Sequence, residues 1–336
     1  MITRSDLGNN VLFVSHVWVD FDGLIPFVLN KFFNIDYAKS ISVNYSEDLE
    51  LESLQSGLYE NVIYVDFTPS EICQKAIIEH NMNCLILDHH IAVEEEMKEF
   101  CNNYSNAEYI FDNERCGTKI YYDWLIEQGY KGNEVSDYIV TLTDIYDLYK
   151  TKDPLFEEAE KCNRLLYSTG KYYIKDDRLK CFEFFINTML WKMQNADHFF
   201  FNALETSKIT EDIKKENELF ESIIKNAPTE ISTRKDSKGH YFIIFTCKSK
   251  ISAVAHKMLE KYKKVDYCII INDYDKENPK ISLRSRDGFD LLQLNYAKGH
   301  EQACGISDTE IAPKTMKEFT ENLKSKKLYE LGYKED

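Results

Sequence analysis

Short apolar runs alternate with amphipathic stretches along the first part of the chain. The runs NVLFVSH (10–16), NVIYVDF (61–67) and CLILDHH (84–90) are rich in branched apolar residues and predict buried strands. Between them, GLIPFVLNKFF (23–33) and SEICQKAIIEHN (70–81) have helical periodicity; Ser70 is expected to cap the second helix. Strands that alternate with helices predict a doubly wound, mostly parallel sheet of the α/β class.

The pattern changes twice farther along the chain. Helical periodicity dominates residues 116–226, and the polar segment 227–240 follows it. Beyond that segment a strand, a helix and two further strands follow one another, and Ser249 or Ser252 is expected to cap this helix. We therefore predict two domains: residues 1–226, which end in helices, and a smaller α/β domain over residues 227–336.

Composition narrows the possible classes of function. The 336 residues are 43% hydrophobic and carry a formal net charge of −16, with a pI of about 5.1. Such an acidic protein is not expected to bind long duplex nucleic acid, because that binding depends on Lys and Arg neutralising phosphates. The nine cysteines form no Cys-x-x-Cys pair, and no apolar run approaches the ~18 residues of a membrane span. We expect a cytoplasmic protein that has no membrane partner. A homodimer is compatible with the sequence.

Ionisable residues follow three of the predicted strands. They are His16, Asp20 and Asp22 after the first strand, Asp66 after the second, and Asp88, His89 and His90 after the third. Each motif alone could be a solvated strand end. In open α/β sheets, however, ligands bind outside the carboxyl ends of the strands. Three such ends at one sheet edge therefore predict a functional site.

The residue types at these strand ends favour a metal site. With Asp144 from a later helix, the candidate ligands are His16, Asp20, Asp22, Asp66, His89 and Asp144. Imidazoles with carboxylates suit Mn²⁺ or Mg²⁺ better than structural zinc, which favours thiolates. Six ligands exceed the needs of one catalytic ion, so we predict two divalent ions, Mn²⁺ first, that share a carboxylate. Such ions also offset the negative charge that would repel a phosphate substrate.

A second cluster lies in the C-terminal domain. SLRSR (282–286) contains Arg284 at a strand end, and KGHEQACG (298–305) contains Lys298, Gly299 and His300. A planar guanidinium and exposed backbone amides are suited to phosphate recognition. The alternative for these residues is a solvated strand end beside a tight turn.

Taken in order, these motifs resemble the DHH phosphoesterase family. SHVWVDFDG, YVDF, LDHH and LTDIYDLY resemble its four N-terminal motifs, and SLRS with KGHEQACG resembles its C-terminal domain. The sequence is most similar to the oligoribonuclease, or nano-RNase, branch. One departure is that Tyr296, Ala297 and Lys298 stand where the family often has glycines, and only Gly299 is kept.

The resemblance implies a role for each candidate. One ion would be bound by His16, Asp20 and Asp66, and the other by Asp22, Asp66, His89 and Asp144, with Asp66 bridging. Asp88 would orient the site, and His90 would contact the substrate phosphate or the attacking water. Asp147, close to one helical turn beyond Asp144, is the competing ligand from the fourth motif.

The resemblance implies an Mn²⁺-dependent phosphodiesterase or exonuclease that degrades short oligonucleotides to mononucleotides. Cyclic dinucleotides, phosphoadenosine phosphate and polyphosphate are alternative substrates for the same chemistry, and a single-strand DNA exonuclease is another possibility. A nucleotide-binding module without catalysis is the alternative from a different class. Six ionisable ligands in one site argue against that alternative, because a binding module does not require them.

Overall fold

Parallel strands form the sheet of the N-terminal part of the chain. In the computed structural model the strand order is β2-β1-β3-β4-β5, and every neighbouring pair is parallel. The strands are β1 (Val11–His16), β2 (Lys39–Val43), β3 (Asn61–Val65), β4 (Asn83–Asp88) and β5 (Ala107–Phe111). The predicted parallel α/β sheet is therefore confirmed.

The structure describes most of the chain. The described residues are 2–8, 10–16, 21–43, 47–172, 178–226, 234–247, 250–272, 280–286, 288–306, 321 and 331–334. Among them, the helices are too short or too polar to cross a bilayer.

Helices connect and cover these strands. They are α1 (Ile25–Phe32), α2 (Glu47–Gln55), α3 (Glu71–Glu79), α4 (Glu94–Asn103), α5 (Gly117–Glu127), α6 (Glu134–Asp147), α7 (Phe156–Tyr172), α8 (Arg178–Asn195) and α9 (Ala203–Asn226). Pro26 lies in the first turn of α1, where its missing N–H costs no helical hydrogen bond. Ser70 is the N-cap residue of α3, as predicted, although its side chain makes no capping hydrogen bond.

Burial explains the unbroken apolar runs. Every residue of β1 and of β3 is buried, as expected for central strands of a parallel sheet with both faces covered. Their apolar side chains pack in the core, and the polar residues follow where each strand ends. The carboxyl edge of the sheet is therefore the place where ionisable side chains collect.

The C-terminal part contains a six-stranded mixed sheet with the order β10-β11-β9-β8-β7-β6. Its elements are β6 (Arg234–Lys235), β7 (Tyr241–Thr246), α10 (Ile251–Lys261), β8 (Tyr267–Asn272), β9 (Lys280–Ser285), β10 (Lys298–His300) and β11 (Ala303–Ile306). Strands β7 and β8 are parallel around α10, as predicted, and the other neighbouring pairs are antiparallel.

The capping prediction for α10 requires correction. The residue that precedes the helix is Lys250, in a left-handed conformation with φ of 54°, while Ser252 lies inside the first turn. Ser249 lies outside the described residues.

The chain divides into two compact units, Met1–Thr210 and Glu211–Asp336. This division falls within α9, ahead of the boundary predicted between residues 226 and 227. Residues 227–233 lie outside the described residues, so the predicted boundary stays a prediction.

Candidate metal centre

The chain folds back on itself after β1. The Ser15 hydroxyl donates a hydrogen bond to the carbonyl oxygen of Gly23 over 2.9 Å. A Cβ atom at Gly23 would lie 1.4 Å from the carbonyl oxygen of His16, so only glycine fits there. This close approach places Asp22, which is fully buried, beside the end of β1. Asp20, a predicted ligand, lies outside the described residues.

The first turn of α5 holds the Asp22 carboxylate. The backbone N–H groups of Gly117 and Thr118 donate to its two oxygens, each over 2.8 Å. The Thr118 hydroxyl also donates to the carbonyl oxygen of Asp22 over 2.6 Å. The first amides of a helix lack partners within the helix and carry partial positive charge, which explains why a buried carboxylate is stable here. Asp22 is therefore held in one orientation.

Asp66 directly follows β3 in an unusual backbone conformation. Its φ of 56° is left-handed, which costs an L-residue about 1–2 kcal/mol, although Asp tolerates it better than most. Its backbone N–H donates to the carbonyl oxygen of Leu87 over 3.0 Å. On its other side, a Cβ atom at Gly117 would lie 2.6 Å from the Asp66 Cβ. Strain at a buried strand end marks a position where the surrounding structure imposes the conformation.

His89 is surrounded by three carboxylates. Its Nε2 atom lies 3.2 Å from Oδ1 of Asp66, 3.5 Å from Oδ2 of Asp147 and 3.9 Å from Oδ2 of Asp22. The imidazole is 2% exposed, so this contact takes place away from bulk water. Residues that follow β1, β3 and β4 therefore meet a residue of α6 at one point.

Asp88 and His90 form a pair beside this point. Nδ1 of His90 lies 2.7 Å from Oδ1 of Asp88, and the His90 backbone N–H donates to Oδ2 over 3.3 Å. Burial alone would raise the pKa of Asp88, but the charge and hydrogen bond of His90, with a smaller effect of His89, hold that pKa below its usual value. The His90 side chain is 37% exposed, so it can reach a bound molecule while Asp88 fixes its orientation.

Among the described residues, two groups of potential ligands result. One contains Asp66, His89 and His90, and the other contains Asp22, His89 and Asp147; within each, one donor atom per residue lies within 4.8 Å of the others. Imidazole nitrogens with carboxylate oxygens suit a divalent cation such as Mn²⁺. Buried carboxylates beside one imidazole also carry excess negative charge, which is costly unless a cation offsets it. The residues present therefore fit a divalent metal.

Of the predicted ligands that the structure describes, two lie outside these groups. His16 is buried at the end of β1, with its ring edge-on to that of Phe67. Asp144 accepts a hydrogen bond from the backbone N–H of Cys116 over 2.9 Å and one from the Lys150 ammonium over 2.6 Å. Of the two acids in the fourth motif, it is Asp147 that the structure brings to His89.

The part that the Cys116-Gly117-Thr118 turn takes in this site was not predicted from the sequence. Its contribution comes from backbone amides, which leave no signal in side-chain patterns; a Cys-Gly-Thr run at a predicted helix start was the only indication. The Cys116 thiol is buried against the same acids: burial, together with the charges of Asp22 and Asp147, raises its pKa well above the ordinary value.

Two residues of the second predicted cluster, Arg284 and His300, share one register row of the C-terminal sheet. His300 pairs with Ala303, and Ala303 pairs with Arg284, so Arg284 and His300 lie two strands apart, or about 10 Å between backbones. Gly299 has a φ of 136°, and a Cβ atom there would lie 2.6 Å from the carbonyl oxygen of Ala303, which explains the glycine. Lys298 is exposed.

Arg284 is held in place by α10. Its Nε and Nη2 atoms donate to the Ser252 hydroxyl over 3.2 and 2.8 Å. Nη1 donates to the carbonyl oxygen of Leu283 over 2.7 Å. The guanidinium is therefore oriented by the helix and by its own strand.

Comparisons with known proteins give distant similarities. No family model matches the chain. A 3′,5′-cyclic-nucleotide phosphodiesterase from Helicobacter pylori is 24% identical, over 88% of this chain and 92% of that protein. An uncharacterized protein from Helicobacter pylori G27 has a structure with 16% identity and a TM-score of 0.46, covering 93% of this chain and 98% of that one. RecJ from Thermus thermophilus, in complex with Mg²⁺, has 13% identity and a TM-score of 0.43, covering 99% of this chain and 52% of RecJ.

Proposed function

We propose that the chain is a metal-dependent phosphodiesterase of the DHH type that acts on small nucleotide substrates. The observation that carries this proposal is the meeting of Asp22, Asp66 and Asp147 at the buried imidazole of His89. The ordered motifs and the phosphodiesterase name of the Helicobacter pylori relative support the same chemistry.

The metal ligands that we propose are Asp22, Asp66, His89 and Asp147, and Asp147 replaces Asp144 in the set expected from the sequence. The family resemblance adds two further ligands, His16 and Asp20. We propose that they bind a second ion together with Asp66, which both ions share. Bound divalent ions of this kind lower the pKa of water and offset the negative charge of a phosphate. Mn²⁺ is the ion that we propose first, because the donors are imidazoles and carboxylates.

The protein's own groups orient the reaction. Asp88 accepts a hydrogen bond from Nδ1 of His90, which fixes the tautomer and makes Nε2 the second hydrogen-bonding atom of the ring. Partly exposed beside the acids, His90 is the group that we propose contacts the substrate phosphate or the attacking water. The amides of Gly117 and Thr118 hold Asp22 in place without a side chain that could compete for the ion.

The substrate that we propose is a short oligonucleotide, cleaved to mononucleotides. Arg284, Lys298, Gly299 and His300 are the proposed phosphate contacts, and the register row that contains Arg284 and His300 supports this grouping. The net charge of −16 disfavours long strands. A second candidate substrate is a 3′,5′-cyclic nucleotide. The Helicobacter pylori relative is named a 3′,5′-cyclic-nucleotide phosphodiesterase, and its similarity extends over 88% of this chain.

Hydrolysis assays with matched substrates test the proposal. The purified chain is incubated with Mn²⁺ and labelled dinucleotide, five-mer or 3′,5′-cyclic AMP, with a parallel series in EDTA. We expect Mn²⁺-dependent release of mononucleotide from the oligomers, and its loss in Asp66→Ala. Cleavage of the cyclic nucleotide alone would favour the second candidate. Binding of these nucleotides without any cleavage would overturn the enzymatic proposal in favour of a binding module.

The cytoplasm remains the location that we propose for the protein, on the basis of the composition of the chain.

A further inference from the structure

Two acids one turn apart on α6 contact different parts of the protein. Asp147 Oδ2 lies 3.5 Å from the buried His89 imidazole. Asp144 instead has both oxygens bonded elsewhere: Oδ1 accepts the N–H of Cys116 and Oδ2 accepts the Lys150 ammonium. The two carboxylates therefore have different tasks although they lie on one helix.

The contacts of Asp144 converge on the turn that enters α5. Lys150, which bonds Asp144, also donates to the carbonyl oxygen of Glu114 over 3.3 Å. The pair therefore contacts this turn at two points, the carbonyl of Glu114 and the amide of Cys116. The two amides that follow, those of Gly117 and Thr118, are the donors that hold Asp22.

We propose that Asp144 is a positioning residue that fixes this entry turn, residues 114–118, so that its amides orient the metal ligand Asp22. The inference rests on the proposed function, because it assigns Asp22 to the metal. An oriented ligand binds an ion without a further loss of freedom, and loss of an outer-shell partner of this kind typically weakens metal affinity or activity about 10- to 100-fold.

Charge explains why Asp144 is suited to this task rather than to binding the ion. Its carboxylate is 13% exposed and is paired with the Lys150 ammonium over 2.6 Å. The pair is close to neutral, so it offers a cation little attraction. Asp22 also accepts two hydrogen bonds, but from uncharged backbone amides, which leave its negative charge for a metal ion.

Paired substitutions at Asp144 and Asp147 test the assignment. Asp144→Asn keeps an oxygen that can accept from the Cys116 amide, whereas Asp144→Ala removes it. The quantities to measure are Mn²⁺ affinity and stoichiometry by calorimetry, and the midpoint of thermal unfolding in EDTA. The assay then gives kcat and KM at low and at saturating Mn²⁺. Asp36→Ala, an exposed acid of the same unit, is the control for a lost carboxylate.

We expect Asp144→Ala to weaken Mn²⁺ binding about 10- to 100-fold with unchanged stoichiometry, and saturating Mn²⁺ to restore most of kcat. Asp144→Asn should lie closer to the wild type than to Asp144→Ala. Lys150→Met should weaken binding in the same direction, and it serves as the test if Asp144→Ala fails to fold. Asp147→Ala and Asp147→Asn should both lower the stoichiometry, and added metal should not restore activity.

The opposite pattern would overturn the inference. If both Asp144 variants lost a bound ion while the Asp147 variants kept it, Asp144 would be a ligand and not a positioning residue. Wild-type affinity in Asp144→Ala would also refute it. A wild-type chain that binds Mn²⁺ but cleaves no phosphodiester would overturn the proposed function alone, since the affinities would still decide the role of Asp144. A wild-type chain without Mn²⁺ affinity would overturn both.

Discussion

Nε2 of His89 lies 3.2 Å from Oδ1 of Asp66, although 23 residues separate them in the sequence. Parallel pairing of their strands produces this contact, because Val65 lies opposite Leu87 and both chains leave the sheet at the same edge. Asp66 is also within 4.0 Å of the His90 ring. One Asp66 oxygen therefore lies within 4.0 Å of a ring nitrogen of each adjacent histidine.

We expect Asp66→Ala to be the most damaging single change at the site. Removing the carboxylate proposed to bridge two ions should lower the number of bound Mn²⁺ ions and abolish hydrolysis. Calorimetry and the oligonucleotide assay measure the two effects, with Asp36→Ala as a control of the same chemistry on an exposed side chain. Normal binding of two ions by Asp66→Ala, with activity retained, would show that the bridging assignment is wrong.

Gly117→Ala should disturb Asp66 through the backbone. The added Cβ would lie 2.6 Å from the Asp66 Cβ and 2.8 Å from its Cα, and neither atom can move away as the end of a flexible side chain could. Overpacking of this kind usually costs about 1–3 kcal/mol. We expect a lower free energy of unfolding in urea and weaker Mn²⁺ binding. Wild-type values for both would contradict the close packing of Gly117 on Asp66.

The parts that were predictable from the sequence share one property. Strands β1, β3 and β4 are buried on both faces, so each leaves an unbroken apolar run, and the residues that follow each run lie at one edge of the sheet. Strand β5, with the sequence AEYIF, is half-buried at every position and shows no such run. Strands β10 and β11 are too short for any periodicity to be visible.

The different contacts of the Asp144 and Asp147 carboxylates were not predictable from the sequence. Three residues apart on a helix, they share a face, and periodicity cannot separate them. What separates them is tertiary structure: Lys150 and the Cys116 amide engage one carboxylate, and His89 contacts the other. Backbone donors and pairings that form only on folding leave no trace in a single sequence.

Asp236 should make the stability of the second unit depend on pH. This buried carboxylate accepts hydrogen bonds from the hydroxyls of Tyr267 and Tyr333 and from the backbone N–H groups of Lys238 and His240. Burial alone would raise its pKa, but the Tyr333 hydroxyl, the His240 amide and the Tyr267 hydroxyl outweigh burial, so the pKa in the folded state is lowered. Its stabilising contribution is then complete above the ordinary Asp pKa of about 3.9 and is lost as pH falls through the lower, folded-state value.

Asp236→Asn measures this contribution. At pH 7 we expect the variant to be less stable by about 1–3 kcal/mol, because a neutral amide replaces the charged acceptor of four hydrogen bonds. The difference from the wild type should shrink as the pH is lowered below about 4, because the carboxyl of the unfolded chain takes up a proton there, whereas that of the folded protein does so only at a lower pH. Urea unfolding across this pH range checks both statements. A difference that stays constant down to the lowest pH would mean that the charge of Asp236 is not what stabilises the fold.

The last prediction concerns Arg284 and substrate length. Its guanidinium is held in one orientation by two hydrogen bonds to Ser252, and it is the phosphate contact that we propose. We expect Arg284→Ala to raise KM for a trimer and to lower kcat as well, because the loss of a substrate contact weakens both binding and orientation of the substrate. Arg284→Lys should not restore the wild-type values, since an ammonium cannot reproduce the planar fork of a guanidinium. Lys264→Ala removes a positive charge from an exposed position of the same unit and should leave the kinetics unchanged.

A ladder of single-stranded oligomers completes this test. A chain with a net charge of −16 gains little from counterion release along a long strand, so turnover per end should be greatest for about two to five nucleotides. If a long strand were degraded faster per end than a trimer, the short-substrate proposal would fail. If Arg284→Ala left trimer cleavage untouched, the substrate contact would lie elsewhere. The metal chemistry would survive either result, because it depends on Asp66 and His89 and not on Arg284.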